Sequence, residues 1–321
     1  MLKEMRVALK KLRLARSSFA ALAGVILLAS CATKPTRTYE NQERRMESAD
    51  RQLAPIKIVP ETVVADARIS FDYSMSHIPH SVSLQWTDFT EPEKDQKGVV
   101  QADHFAIARR LARLGIGPSI PVVVVGRGRQ GEGEEGRVAW MLAYLGVSHV
   151  QFADIDSFKV HQTNVTDENP PKSVPIWKPQ EIESLNVARA ELQTVMNKNG
   201  VNEPIPGPTG ADVLYRIIDV RSESGYLGKS GLGLTRKIPN MGAINIPWKE
   251  FFTDSLRTDV DIAKKLAHVG VTPQNRIIVI DEDGISSAAV TMALRSLGFD
   301  KAGNYAGGLV DLLSAYPTFE R

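Results

Sequence analysis

Apolar residues recur along this chain in two spacings, one typical of helices and one typical of buried strands. In residues 107–118 the apolar side chains, among them Ile107 and Leu111, fall on one helical face. Gly115 is a natural end for that helix. Four valines then follow without interruption at 122–125. A short continuous run of this kind predicts a strand that is buried on both faces of a parallel sheet.

The same order of elements returns 155 residues further along the chain. Residues 262–273 align with 107–118 without a gap, and the apolar run 277–280 stands in place of the four valines. Strand-like segments precede the two copies, at 63–68 and 216–221. Alternating strands and helices predict an α/β fold, and the duplication predicts two domains of this kind.

Polar and proline-rich stretches suggest where the domains begin and end. Prolines and polar residues make 157–183 a linker, and the prolines of 197–210 indicate an insertion in the second copy. The resulting division has a first domain at 55–156 and a second domain at 184–321. In the first domain, residues 138–145 predict a helix after the glycine-rich stretch that follows the valines.

The N-terminal residues predict export and lipid attachment. Residues 1–30 combine a basic start with a short apolar run, which is typical of a secretory signal peptide and too short to cross a bilayer. The run ends Leu28-Ala29-Ser30-Cys31, which resembles a bacterial lipobox. That resemblance implies cleavage before Cys31 and acylation of this residue, so that the lipid bilayer is a partner. Residues 31–54 then form a polar tether.

By resemblance to sorting in Gram-negative lipoproteins, Ala32 after the acylated residue favours the outer membrane, facing the periplasm.

The net charge bears on whether the protein binds nucleic acid. The whole chain has a net charge of +2, but without residues 1–30 it has 33 basic and 36 acidic side chains. A nucleic-acid partner therefore has no support from composition.

Cysteine and histidine content limits the possible chemistry. The single cysteine excludes an intramolecular disulfide and a cysteine-rich metal site. The six histidines show no metal-binding spacing. We therefore expect no metal and no cofactor.

Several short motifs occur in the same order in both copies. The second copy has Asp219 and Arg221 at a strand end, then Ile238-Pro239, and closes on Tyr305-Ala306-Gly307-Gly308. The corresponding residues of the first copy are Asp66, Arg68 and His77-Ile78-Pro79. The ordered set resembles the tandem rhodanese family over about residues 58–320. The resemblance implies two mostly parallel sheets with helices on both faces, and pockets formed by the loops after the strands.

Enzymes of that family carry sulfur on a cysteine that begins a six-residue loop after the central strand. Here the strand 277–280 leads into Asp281-Glu282-Asp283-Gly284-Ile285-Ser286, so Asp281 stands in place of the cysteine. A carboxylate cannot become a persulfide, and three acids would repel the thiosulfate dianion. The first copy continues from its valines into Gly126-Arg127-Gly128 and has no nucleophile either.

The favoured interpretation is a non-catalytic binding or scaffolding module in the cell envelope, whose partner is an envelope protein or a small anion. A sulfurtransferase of the thiosulfate type with residual or altered activity is the alternative. Gly126-x-Gly128-x-x-Gly131 also matches a dinucleotide-binding pattern. The same loop could hold an anion on its N–H groups with Arg127 or Arg129, or could simply be exposed.

The acidic run 281–283 also has other interpretations. It could bind a hard cation, act as a nucleophile in phosphoryl transfer, or supply the acidic side chains that a helix N-terminus favours.

Overall fold

The structure is a computed structural model that describes residues 52–53, 56, 58–161, 163–164, 171–207 and 210–315. The predicted signal peptide, Cys31 and nearly all of the tether lie outside the described residues. The described residues belong to one compact unit. Among the described helices, none has the length and apolar character needed to cross a bilayer.

The first half is built on a four-stranded parallel sheet, as the buried valine run predicted. Its strands are β1 (Val63–Asp66), β2 (Val82–Ser83), β3 (Val122–Gly126) and β4 (Val150–Asp154), in the order β2-β1-β3-β4. Its helices are α1 (Ser70–Met75), α2 (His104–Arg113) and α3 (Glu134–Tyr144). Every residue of β3 is buried, because the sheet is covered on both faces.

The helices of the first half begin where local chemistry favours a start. The Asp103 side chain accepts the N–H of Ala106 at 2.9 Å and so caps α2. The apolar spacing predicted the next helix at 138–145, but α3 begins at Glu134. Its N-terminal neighbour Gly133 has a φ of 93°, which closes the glycine-rich loop, and Glu134 and Glu135 occupy the first turn, where acidic side chains are favoured.

Residues between the two sheets lie along the first half before they enter the second. The backbone N–H groups of Val174 and Ile182 donate to carbonyl groups of the first half, those of Ala112 and Tyr144. A helix α4 (Arg189–Asn197) and a short hairpin, β5 (Ile205–Pro206) with β6 (Asp212–Val213), follow. The hairpin includes part of the segment that was predicted to be an insertion.

The second half repeats the first. Its strands are β7 (Tyr215–Asp219), β8 (Ile244–Asn245), β9 (Arg276–Ile280) and β10 (Ala302–Asn304), all parallel in the order β10-β9-β7-β8. Its helices are α5 (Glu223–Tyr226), α6 (Ile262–His268), α7 (Ser286–Ser296) and α8 (Gly308–Ser314). The α/β class and the two parallel sheets are therefore confirmed.

The two halves share one core. Helix α3 packs on helix α7, and buried residues of both sheets belong to one apolar cluster. A methyl group at Gly136 would collide with Ala289, so the two helices touch at backbone distance. Gly133 likewise lies against Ser286, which brings the N-terminal ends of the two helices together. The loops that precede these helices are therefore neighbours across the junction.

Candidate functional site

The register of the two sheets defines equivalent positions at the ends of the central strands. Asp66 of β1 pairs with Val125, and Asp219 of β7 pairs with Ile280. The next residue along each central strand is Gly126 in the first half and Asp281 in the second. Asp281 and Gly126 therefore occupy equivalent positions in the two halves, and the prediction that Asp281 replaces a sulfur-carrying cysteine concerns this position.

The Asp-x-Arg motifs form the same ion pair in both halves. The Nε of Arg68 lies 3.0 Å from Asp66 Oδ1 and its Nη2 lies 2.7 Å from Oδ2. The Nε of Arg221 lies 3.0 Å from Asp219 Oδ1 and its Nη2 lies 2.6 Å from Oδ2. Both carboxylates are fully buried. Bidentate ion pairs of this kind fix the backbone conformation after each strand, so these motif residues have a structural role.

His77, the remaining motif residue, is also used in packing. Its ring stacks on Tyr73 with the centroids 4.4 Å apart, and its Nδ1 lies 2.9 Å from the carbonyl oxygen of Tyr73. These contacts fix the turn that follows α1.

The Asp281 carboxylate satisfies the donors of its own loop. Its Oδ1 accepts the N–H of Gly284 at 2.5 Å, and its Oδ2 accepts the Ser286 hydroxyl at 2.7 Å and the Ser287 N–H at 2.9 Å. The residue is only 3% exposed. These donors lie at the N-terminus of α7, which also favours a negative charge. An incoming anion would have to displace this carboxylate to reach them.

The rest of the loop fits tightly against its surroundings. Gly284 has a φ of 81°, and a side chain there would collide with the carbonyl group of Ala306. Ile285 is buried in the shared core, and the Ser287 hydroxyl donates to Asn304 Oδ1 at 2.6 Å. The loop is therefore held by backbone and side-chain contacts that leave little freedom to rearrange.

Glu282 and Asp283 tie the loop to two segments that cover it. Glu282 Oε1 accepts the N–H of Leu232 at 2.9 Å, which holds a glycine-containing turn of the second half over the loop. Asp283 Oδ2 lies 3.1 Å from Lys97 Nζ, which belongs to a segment of the first half that we call the crossing segment (residues 94–99). A side chain at Gly98 would collide with the carbonyl oxygens of Asp283 and Ala306.

A buried cation from the first half completes this junction. Arg137 of α3 is fully buried, its Nη2 donates to the Gly98 carbonyl at 2.7 Å, and its guanidinium lies 4.6 Å from the ring centroid of Trp140. Burial lowers the pKa of Arg137 to about 10, and the charges of Asp283 and Asp281 oppose that shift. Burial, and then the charge of Asp281, raise the pKa of Asp283 to about 6.

A second carboxyl group lies at the equivalent place in the first half. A side chain at Gly126 would collide with Glu135 Oε2, so Glu135 fills the space where a residue on the strand end would project. Glu135 is fully buried, and this burial raises its pKa well above the ordinary value. Burial therefore favours the protonated, neutral form of this carboxyl group. Neither Glu135 nor Arg137 was predicted from the sequence, where their only signal was charge at the start of a helix that is otherwise mostly apolar.

The two arginines of the glycine-rich loop in the first half pair with different carboxylates. The Nε of Arg127 donates to Asp72 Oδ2 at 2.9 Å, and this pair raises the pKa of Arg127. Arg129 Nη1 donates to Asp254 Oδ1 of the second half at 2.8 Å. Gly128 lies against the side chain of Asp154. Among the predicted anion-binding residues, Gly126 and Arg127 line one cavity, whereas Gly128, Arg129 and Gly131 do not line it.

Two cavities accompany these loops. One of about 300 Å³ lies at the carboxyl ends of β1, β2 and β3 and includes Arg68, Trp86 and Arg127 in its wall. The other, of about 420 Å³, lies between the halves and is lined in part by His104, Arg189 and Asp311. In the part of the chain that the structure describes, no group of three or more His, Cys, Asp or Glu side chains could hold a metal ion.

Comparison with known proteins assigns the fold. Residues 208–315 match the rhodanese-like domain family. A thiosulfate sulfurtransferase of Pseudomonas aeruginosa is 24% identical over 265 residues, which are 79% of this chain and 89% of that protein. A thiosulfate sulfurtransferase of Azotobacter vinelandii is 24% identical over 258 residues, which are 77% of this chain and 86% of that protein.

A solved structure gives the same result. The 3-mercaptopyruvate sulfotransferase SseA of Escherichia coli superimposes with a TM-score of 0.61 and 18% identity, covering 78% of this chain and 93% of that chain. The fold is thus a tandem rhodanese-like fold that is distantly similar to thiosulfate sulfurtransferases.

Asp281→Ala is expected to destabilise the protein by about 2–4 kcal/mol, because it leaves the buried N–H groups of Gly284 and Ser287 without an acceptor. Asp281→Asn, which keeps one acceptor oxygen, should cost less. Urea unfolding of the full chain measures both, with the exposed Asp261→Ala as a control expected within about 0.5 kcal/mol of wild type. An Asp281→Ala variant as stable as that control would contradict this account of the loop.

The raised pKa of Asp283 predicts a pH dependence of stability. The folded protein keeps the proton up to about pH 6, whereas a carboxyl group at the ordinary value of 3.8 has lost it in the unfolded chain. The free energy of unfolding should therefore fall as the pH rises from about 4 to about 6. Asp283→Asn should flatten this slope in urea unfolding at stepped pH, while Asp254→Asn serves as an exposed control. Equal slopes for wild type and Asp283→Asn would refute the assignment.

Proposed function

We propose that this chain is a lipid-anchored cell-envelope protein whose two rhodanese-like domains bind or scaffold a partner and do not transfer sulfur. The observation that carries the proposal is the Asp281 carboxylate, which takes the loop donors that an enzyme would direct at its sulfur. The equivalent position of the first half is Gly126, which has no side chain to react.

The chemistry of sulfur transfer supports this proposal. A persulfide forms on a thiolate, and the chain has one cysteine, Cys31, which precedes both domains. No thiol is therefore present in the part of the sequence that folds into the two sheets. The dianion thiosulfate, which the curated relatives are named for, would also meet Asp281, Glu282 and Asp283 at the loop.

The covering of the loop adds an argument from access. The crossing segment lies against Asp283 through Gly98 and Lys97, and the turn at Leu232 lies against Glu282. A substrate that approached the strand end from solvent would need both contacts to open. Because α3 and α7 also meet at backbone distance, such opening would disturb the shared core.

Attachment to the membrane is the second part of the proposal. The lipobox-like residues 28–31 support acylation of Cys31, and Ala32 supports the outer membrane with the domains in the periplasm. Gln52, near the end of the proposed tether, is 4% exposed and its Nε2 donates to the carbonyl groups of Phe152 and Leu256 at 2.9 and 3.2 Å. The tether would thus join the folded part at the junction of its halves.

Sulfur transfer remains the alternative that the similarity to thiosulfate sulfurtransferases favours, and an assay separates the two. Because no thiol lies in the domains, the full chain is expected to show thiosulfate:cyanide turnover at background, beside the Pseudomonas aeruginosa relative as a positive control. Turnover above background that persists in Cys31→Ser, which removes the one thiol, would overturn the non-catalytic proposal. A gain of turnover in Asp281→Cys would show that the loop donors can still hold a thiolate.

The anchor has its own test in a Gram-negative host. Several acyl chains give stable attachment, so wild type should incorporate labelled palmitate and stay in the membrane fraction after a high-salt wash. Cys31→Ser should lose the label and the membrane association. Ala32→Asp is the matched variant, which should keep the label but move from the outer to the inner membrane. Membrane attachment of Cys31→Ser equal to that of wild type would contradict the proposed anchor.

A further inference from the structure

We infer that the cavity of about 300 Å³ in the first half binds a small organic anion, one that carries a carboxylate or sulfonate group on an apolar body. The inference rests on the proposed binding function and deepens it, since it names a site and a class of ligand. The cavity lies beside Gly126, at the place in the first half that corresponds to the closed loop of the second half.

The wall of this cavity carries an excess of positive charge. Arg68, Lys97 and Arg127 line it, and Glu134 is its one acidic residue. Glu134 Oε2 accepts the N–H of Glu132 at 2.9 Å and is thereby held by its own loop. The carboxylates that pair with the three cations do not line the cavity; they are Asp66, Asp72 and Asp283. An anion in the cavity therefore meets the cations at close range and their partners only at longer range.

The two arginines retain donors for such a ligand. Arg68 uses its Nε and Nη2 in its hydrogen bonds, and Arg127 uses the same two atoms. Within the described residues, the Nη1 of each arginine has no hydrogen-bond partner. The Arg68 side chain is only 10% exposed, so its charge is weakly screened by water and interacts strongly with a group that enters the cavity.

The remaining wall selects an organic ligand over an inorganic ion. Ala67, Ile69 and the indole of Trp86 contribute apolar surface, and Lys97 Nζ lies 5.3 Å from the centre of the Trp86 ring. Gln85 adds a neutral amide. A volume of about 300 Å³ lies at the lower end of the range for small-molecule sites, which combine apolar walls with a few polar groups.

The two halves differ at this place in a way that leaves the first one open to anions. In the second half the charged Asp281 occupies the strand end, whereas Gly126 in the first half adds no charge. Glu135 fills the space above Gly126, and burial raises its pKa, which favours the uncharged form of this carboxyl group. The larger cavity between the halves lacks this excess of charge, because Arg189 pairs there with Asp311, which lines the same wall.

Calorimetric titration of the full chain tests the site with four probes: benzenesulfonate, benzoate, inorganic sulfate and benzyl alcohol. The two organic anions are expected to bind at least about tenfold more tightly than sulfate or benzyl alcohol. Sulfate has the negative charge but no apolar body, and benzyl alcohol has the apolar body but no negative charge. Arg127→Gln should weaken benzenesulfonate at least about tenfold. Arg129→Gln, on the same loop but outside the cavity, should change it less than about twofold.

Each contrary result overturns the inference. No binding of either organic anion at about 10 mM would do so, as would sulfate or benzyl alcohol binding as tightly as benzenesulfonate, or equal weakening by Arg127→Gln and Arg129→Gln. If Arg127→Gln fails to fold, Lys97→Gln with Lys94→Gln as its control makes the same comparison. Missing binding with background thiosulfate turnover would overturn this site alone, whereas turnover would overturn the proposed non-catalytic function.

Discussion

The backbone N–H groups at the start of α7 need an acceptor, and the way this need is met determines much of the structure around it. Asp281 meets it from within the chain, at 2.5 Å from the N–H of Gly284 and 2.9 Å from that of Ser287. A buried carboxylate is tolerated where hydrogen bonds satisfy it, and here the loop donors do so, while the charge of the buried Arg137 also acts on Asp281 without a direct ion pair. The neighbouring acids are consequently directed outward, Glu282 to Leu232 and Asp283 to the crossing segment.

The duplicated fold gives two solutions to one packing problem. At the end of each central strand a carboxyl group fills the space, but it comes from the strand end in one half and from helix α3 in the other. Asp281 accepts hydrogen bonds from the loop donors, whereas Glu135 lies where burial favours the neutral acid. The first half thereby keeps an open cavity with cationic walls, and the second half has a closed acidic loop. Duplication followed by different substitutions is enough to produce this contrast from one fold.

Much of this architecture could be predicted from the sequence, since it depends on local pattern. The valines of 122–125 and the repeat at 262–273 were sufficient to predict two parallel sheets. The candidate site was harder to predict from the sequence, because its key contacts join residues far apart in the chain. Nothing local marks Gly98 as a contact of Asp283, or Arg137 as a buried cation that faces the second half. The late helix start predicted at 138 failed because the spacing of apolar residues could not reveal that Glu134 and Glu135 form the first turn.

The closed loop and the union of the halves depend on the same contacts. Arg137 donates to the Gly98 carbonyl, and Gly98 in turn lies against the carbonyl oxygens of Asp283 and Ala306. Gly98 therefore has two roles. It covers the loop of the second half, and it also links the buried Arg137 of the first half to the region of Asp283. Moving the crossing segment away would leave Arg137 without its hydrogen bond in a fully buried position, at a cost of several kcal/mol. Opening the loop to a substrate would therefore weaken the contact between the two halves, and the residues at this junction favour the closed loop with the halves joined.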